Sequence, residues 1–301
     1  MAETSASGKV DQKLKLKDGR TLGFAEYGDP NGKPVLEFHG WPGCRYEAWN
    51  YDEAGRKTGA RVIGVDRPGF GMSTYKKGYR IVDWPRDVVE FADALGLQKF
   101  RVMGISSGSP YSLACARFIP ERLTACSVVS GISPLKVPGE KLRPRHYVEP
   151  TEIQLARLAN FVSPIARLGL WYIARQIRKD PDKALRQFTK DMPESDLDLL
   201  KDPDARQNFV NTVTECMRHG TRGPIASVGL EMKPWGFALS DITMHVSLWQ
   251  GEDDNLVYPA AAAYMASKLP NHTLHTIADA GHLAVVARHA EEVMRELLST
   301  D

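Results

Sequence analysis

Cysteine is scarce: only Cys44, Cys115, Cys126 and Cys216 occur in 301 residues, widely spaced and with no C-x-x-C pair. No disulfide framework is implied, which suits a reducing compartment. Charge of one sign is lacking too, since 39 Lys and Arg against 37 Asp and Glu leave a net +2. No strong field therefore points to nucleic acid or to an anionic membrane. No window approaches the roughly 18 uninterrupted apolar residues of a membrane-crossing helix. The polar stretch from Met1 to Asp11 lacks the apolar core of a secretory signal. No histidine pair stands at metal-ligand spacing within a helix, so no metal is expected. Internal repeats and low-complexity tracts are also missing. These absences lead to an expectation of a cytoplasmic protein that meets a small molecule, with no metal, nucleic-acid or membrane partner; a homo-oligomer stays compatible. One local bias is basic: Arg143, Arg145, Arg167, Arg175, Arg178 and Lys179 cluster, and they read as a solvated helical face.

What is present is an alternation. Gln12 to Lys17 and Arg20 to Tyr27 read as strands around the hairpin signal Asp18-Gly19. Short apolar runs then alternate with helix-compatible stretches: Pro34–Phe38, Tyr46–Lys57, Val62–Val65, a helix capped by Asp83, Phe100–Met103, a helix through Phe118, and Thr124–Val129. That rhythm predicts a parallel sheet with helices on both faces. It breaks after Ser133-Pro134. Helical patterns dominate to about Ser240, at 152–161, 165–177, 181–188, 196–200 and 205–217. The alternation then resumes with strands at 245–249 and 273–277 and helices at 259–269 and 284–298. The expected organisation is a polar tail at 1–11, an α/β core at 12–134 and 241–301, and a helical cap, or lid, at 135–240.

The centre of the pattern is Gly104-Ile105-Ser106-Ser107-Gly108, placed between a strand and a helix. A serine on such a turn is pushed out above the sheet, and its neighbours two residues away must be small because the chain passes close to itself. The following helix aims its N-terminal dipole at the same spot. Serine chemistry also needs a base, an acid that orients the base, and donors for the oxyanion. In the order Ser, Asp, His, a sheet of this kind supplies acid and base from loops after its last strands. Trp249-Gln250-Gly251-Glu252-Asp253-Asp254 follows the penultimate strand, and Ala280-Gly281-His282 follows the last.

The motifs His39–Gly43, Asp66–Gly71, Gly104–Gly108, Gly251–Asp254 and Gly281-His282 span nearly the whole core. Together they resemble those of α/β-hydrolase fold proteins of the capped serine esterase and proline iminopeptidase-like type. The resemblance implies an α/β-hydrolase fold, with a mostly parallel eight-stranded sheet, helices on both faces and an inserted lid. It implies catalysis by Ser106 as nucleophile, His282 as base and Asp254 as acid, with Asp253 as local competitor for the last role. The oxyanion donors would be the backbone N–H groups of Trp41 and Ser107, supported by His39, Gly40, Gly104 and Gly108. No cofactor is implied.

The substrate follows less directly. Trp41 is reminiscent of epoxide hydrolases, which use an aspartate nucleophile; Ser106 disfavours that route. Proline iminopeptidase-like enzymes generally have a glycine where Trp41 stands and a tryptophan where Ser107 stands. They also need acidic lid residues, for which Glu194, Asp196, Asp198 and Glu215 are available. Asn255 occupies a common proline position. Large apolar lid residues, Phe161, Trp171, Tyr172, Phe209, Met217 and Trp235, pack the lid or line a pocket. The expected activity is hydrolysis of a small to medium, uncharged or mildly anionic ester, thioester or lactone through an acyl-enzyme. The alternatives are an aminopeptidase, a C–C bond hydrolase or lyase, and a ligand-binding protein without turnover.

Overall fold

A computed structural model describes residues 9–161 and 163–299, so most of the polar N-terminal tail, residues 1–8, lies outside the described residues. Eight strands form one sheet: β1 (Gln12–Lys15), β2 (Thr21–Gly28), β3 (Lys33–Phe38), β4 (Ala60–Val65), β5 (Phe100–Ile105), β6 (Leu123–Val129), β7 (Val246–Gly251) and β8 (His272–Ile277). Their order is β1-β2-β4-β3-β5-β6-β7-β8. β2 pairs antiparallel with β1 and β4, and the ladders from β4 through β8 are parallel. The central strands are apolar because helices cover both of their faces; all six residues of β5 are buried. β8 lies at the edge and alternates exposed with half-buried residues, with Leu274 on the exposed side.

Helices α1 (Asp52–Thr58), α2 (Trp84–Ala94) and α3 (Ser109–Phe118) join successive strands up to β6. Between β6 and β7 lie α4 (Pro150–Phe161), α5 (Ser163–Lys179), α6 (Pro181–Thr189), α7 (Glu194–Leu199), α8 (Pro203–Glu215) and α9 (Arg222–Glu231). α10 (Pro259–Lys268) joins β7 to β8, and α11 (His282–Arg288) and α12 (Ala290–Leu298) close the chain. Two apolar layers sandwich the sheet, one around Phe38, Trp84, Phe91 and Phe100, the other around Tyr51, Val62, Met103 and Val293.

Several local expectations change. α9 has no counterpart in the sequence reading. Gly223-Pro224 looks like a break but occupies the first turn, where proline is tolerated. The helix is buried on most sides, so it carries no amphipathic period to detect. The closing helix divides at His289 into α11 and α12. Asp83 precedes α2, but its carboxylate turns back to accept from the Arg80 N–H at 2.9 Å instead of capping that helix. Phe118 is exposed and does not share the buried face of Tyr111 and Cys115. All four cysteines are buried free thiols. Among the described residues no helix is long and apolar enough to cross a membrane, and no cluster of His, Cys, Asp and Glu could hold a metal ion.

Candidate active site

The parallel register aligns the C-terminal ends of β3, β5, β6 and β7, where crevices form in open α/β sheets. Ser106 follows β5 directly and has φ +50°, the left-handed region that serine rarely enters. The turn is tight. A Cβ on Gly108 would lie 1.8 Å from the Phe38 carbonyl oxygen, and one on Gly104 would lie 2.6 Å from the Gly108 carbonyl oxygen. Both glycines therefore serve close backbone approach, and β5 and α3 meet only because they lack side chains.

His282 opens α11, and its Nδ1 lies 2.7 Å from Asp254 Oδ2, the two side chains being almost fully buried. Asp254 is held in turn. Its Oδ1 accepts from the Leu256 and Val257 N–H groups at 3.0 and 2.9 Å, and its Oδ2 from Gln250 Nε2 at 3.1 Å. Asp253 is exposed and does not meet the imidazole. With Nδ1–H donated to Asp254, Nε2 is the ring nitrogen left to take a proton. Burial works against a charged imidazole, but the Asp254 carboxylate outweighs it, with help from Asp196 and Glu47, and His282 ends above its ordinary value.

A strap of backbone faces this pair. The Gly40 carbonyl oxygen accepts from Arg67 Nη2 and from His39 Nδ1, each at 2.8 Å. His39 Nε2 accepts from the Arg67 N–H at 3.0 Å. Burial first, then the neighbouring Arg67 charge, hold His39 well below the ordinary imidazole range, so it stays neutral. In a planar trans peptide the N–H points opposite to the C=O. Tying down the Gly40 carbonyl therefore aims the Trp41 N–H the other way. The same logic orients Ser107: the Ser106 carbonyl accepts from the Ser109 and Ile132 N–H groups. Arg67 also donates to the Ser107 carbonyl at 3.3 Å and to Ser227 Oγ of α9 at 2.9 Å. Its guanidinium stacks between Phe70 and Tyr111.

Carboxyl groups crowd the site. Glu47 accepts from the Gly40 N–H at 2.5 Å, and burial pushes it up to about 6. Its neighbour Glu37 is fully buried, and burial with the Glu47 charge raises it well above the carboxylate range. Two groups come from the helices between β6 and β7. Burial, then the Glu149 charge, raise Glu152 to about 7. Burial and the Glu152 charge raise Glu231 to about 8, although the nearby Ser107 hydroxyl and the Arg67 charge favour its ionised form. Neither glutamate was singled out from sequence. Glu231 ends the helix that was missed, and a glutamate facing inward from a cap helix has no linear signature.

Of the four acids considered for the lid, Asp198 lines the cleft that reaches His282, and the other three go elsewhere. Asp196 accepts from the Ala284 N–H at 2.8 Å and presses on Gly281, where a Cβ would meet its carboxylate at 2.6 Å. It braces the histidine turn. Glu215 pairs with Arg45 and Arg218, and Asp198 with Lys201. Glu194, at the start of α7, makes no ion pair among the described residues.

A cleft of about 900 Å³ opens between α1, the α7–α8 region of the cap and α11. It reaches His282 and Ile105, the residue before Ser106. Trp49, Leu199, Leu200, Phe209 and Val286 give it apolar walls. Glu47, Asp52, Glu53, Asp198, Asp202 and Asp204 line it against one arginine, Arg56. Of the large lid residues, Phe209 lines the cleft. Met217 and Trp235 are buried packing, and Phe161, Trp171 and Tyr172 point to solvent.

The comparisons agree with this architecture. Bifunctional epoxide hydrolase 2 of Sus scrofa is 24% identical over 319 residues, covering 95% of this chain and 54% of that protein. Proline iminopeptidase of Xanthomonas citri is 34% identical over 110 residues, 34% of each chain. The chain spans about half the length, or less, of the curated relatives it matches first. A solved structure of a thermophilic esterase from Thermogutta terrifontis superimposes with a TM-score of 0.69 at 20% identity, covering 96% of this chain and 98% of that one. Residues 33–287 match the alpha/beta hydrolase fold family, and with this sheet, these crossovers and this placement of the strand ends, the chain belongs to that family.

Proposed function

We propose that the chain is a serine hydrolase that cleaves a small to medium, largely apolar carboxylic ester, thioester or lactone through an acyl-enzyme. The observation that carries this reading is the 2.7 Å contact between His282 Nδ1 and buried Asp254, set beside a strand end where Ser106 has φ +50°. Ser106 Oγ attacks the substrate carbonyl carbon as His282 Nε2 takes its proton. The carbonyl π pair moves onto oxygen, and the Trp41 and Ser107 N–H groups stabilise that oxyanion. Collapse of the adduct breaks the bond to the leaving oxygen or sulfur, which receives the proton from His282. Water then repeats the sequence, losing a proton to His282 and releasing the acid from Ser106. Asp254 holds the imidazole and balances its charge without taking the proton.

The acid-lined cleft narrows the substrate. Asp52, Glu53 and Asp198 are ion-paired with Arg56, Lys57 and Lys201, and Glu47, Asp202 and Asp204 remain to favour neutral esters over mildly anionic ones. Epoxide opening is disfavoured, because a serine alkoxide on carbon leaves an ether that water does not readily cleave.

A second reading, aminopeptidase, is favoured by one feature: Glu152, within the influence of His282, and Glu231, within that of Ser107, are two buried carboxyls whose charges act on one another. They share the site with either a proton or a cationic group, and a substrate ammonium would serve as the latter.

Fluorophosphonate labelling, read by intact mass on the wild type and Ser106→Ala, decides whether the serine is activated. Turnover of p-nitrophenyl acetate against proline p-nitroanilide separates the two readings. Labelling of the wild type alone with ester turnover supports the esterase. Preferred cleavage of the anilide promotes the aminopeptidase. Equal labelling of both proteins removes Ser106 from the chemistry.

A further inference from the structure

The outer surface of the cap carries a feature that hydrolysis does not use. Helix α5 buries only a narrow stripe, Ala166, Leu170, Ala174 and Ile177, and leaves most of its circumference in solvent. Its exposed side divides lengthwise. Ile165, Leu168, Trp171 and Tyr172 of the N-terminal part are 61, 65, 47 and 58% exposed. Leu158 and Phe161, at 43 and 85%, continue this surface from α4. Residues this apolar scattered singly would need no explanation, but six of them on two successive helices mark a contact surface.

The charges around the set are of one sign. Residues 150–190 contain eight Lys and Arg against three Asp and Glu, although the whole chain is nearly neutral. One of those three acids, Glu152, faces the active site. The exposed cations Arg157, Arg167, Arg175, Arg178 and Lys179 make no ion pair among the described residues. From sequence these arginines read as a solvated face; the structure sets them beside exposed apolar side chains, which changes their meaning.

An apolar strip with an indole and a phenol, flanked by cations that make no ion pair among the described residues, one of them, Arg175, lying over the Trp171 ring, is the pattern of a helix that lies in the interface of an anionic bilayer. The aromatic rings and aliphatic groups enter the headgroup boundary, and the arginines meet lipid phosphates. A second copy of this chain fits less well, because a two-fold contact would press one cationic face against another. We propose that the exposed face of α4 and α5 is a docking surface for an anionic lipid membrane, on which the cap rests peripherally without spanning it.

The test is co-sedimentation of the full chain with vesicles of phosphatidylcholine containing about one-third phosphatidylglycerol, against vesicles of phosphatidylcholine alone. Binding to the anionic vesicles at low salt, with release at about 0.5 M NaCl, is expected because surface electrostatics are screened there. Arg175→Glu with Arg178→Glu should weaken binding at least about tenfold, and so should Leu168→Asp, with far-UV circular dichroism and Tm unchanged. Trp171 quenching by brominated lipid, lost in Trp171→Phe, places the helix at the surface. Failure of the wild type to bind, or equal binding to both vesicle types, overturns the proposal. So does wild-type binding by folded variants. A dimer in sedimentation velocity that Leu168→Asp dissolves, without vesicle binding, makes this face a self-interface instead.

Discussion

The Arg67 guanidinium holds the Gly40 carbonyl oxygen at 2.8 Å and thereby turns the next N–H, that of Trp41, to the opposite side of the peptide. Arg67 also reaches Ser107 and, through Ser227, the cap helix α9. In the proposed mechanism it is a positioning residue, not a catalytic one. Lysine in its place keeps the charge but lacks the planar fork that holds several acceptors at once. Arg67→Lys should lower kcat by about 10- to 100-fold with KM little changed, part of what losing an oxyanion donor costs. Steady-state ester kinetics with Tm as control reads this; a rise in KM at constant kcat would move Arg67 to substrate binding.

Asp254→Asn should cut kcat by about 1,000- to 10,000-fold, because the amide no longer enforces the tautomer that leaves Nε2 as base. Asp253→Asn should have little effect, since that side chain is exposed. The reverse ranking in parallel assays would transfer the acid role by one residue.

The pH profile follows from the same pair. His282 must be neutral to accept the Ser106 proton, and its neighbours raise it above the ordinary 6.5. The rising limb of kcat/KM should therefore lie above pH 6.5 and move down in the residual activity of Asp254→Asn. A wild-type limb below that value would mean burial outweighs the carboxylates.

Glu231 links stability to pH. Its folded value, about 8, exceeds the ordinary 4.5, so the folded state binds this proton more tightly than the unfolded chain. The resulting stabilisation is complete below about 4.5 and is lost as pH rises through about 8. Glu231→Gln should match wild-type Tm near pH 5 and exceed it by about 2 °C or more at pH 9. Equal Tm values at both pH values would show that the carboxyl ionises without cost, as it would if paired with a cation.

Glycine at two positions should respond differently. Gly96 has φ +72° and open space around its missing side chain, so Gly96→Ala should cost about 1 kcal/mol. Gly108→Ala would place a carbon 1.8 Å from a backbone oxygen of β3, which cannot yield without moving the elbow. A loss above about 4 kcal/mol is expected in urea unfolding. Similar losses at the two sites would show that the turn tolerates opening.

Local pattern carried much of this protein. The buried runs of β3, β5 and β7, the glycines around Ser106 and the Gly281-His282 turn are written in consecutive residues, because close packing restricts which side chains each position accepts. The hydrolase fold followed from their order. Helix α9 escaped for a converse reason: buried on most sides, it shows no alternation between wet and dry faces.

What only the tertiary structure decided is the company each side chain keeps. Asp254 and Asp253 are neighbours in sequence, but the fold buries one against His282 and exposes the other. Glu152 and Glu231 stand far apart in the chain, yet the fold brings them close enough for the charge of one to raise the other. Trp171 and Phe209 looked equivalent, yet one faces solvent and the other the cleft. Burial, desolvation and charge proximity are properties of distance in space, and a linear sequence determines them only through the fold it adopts.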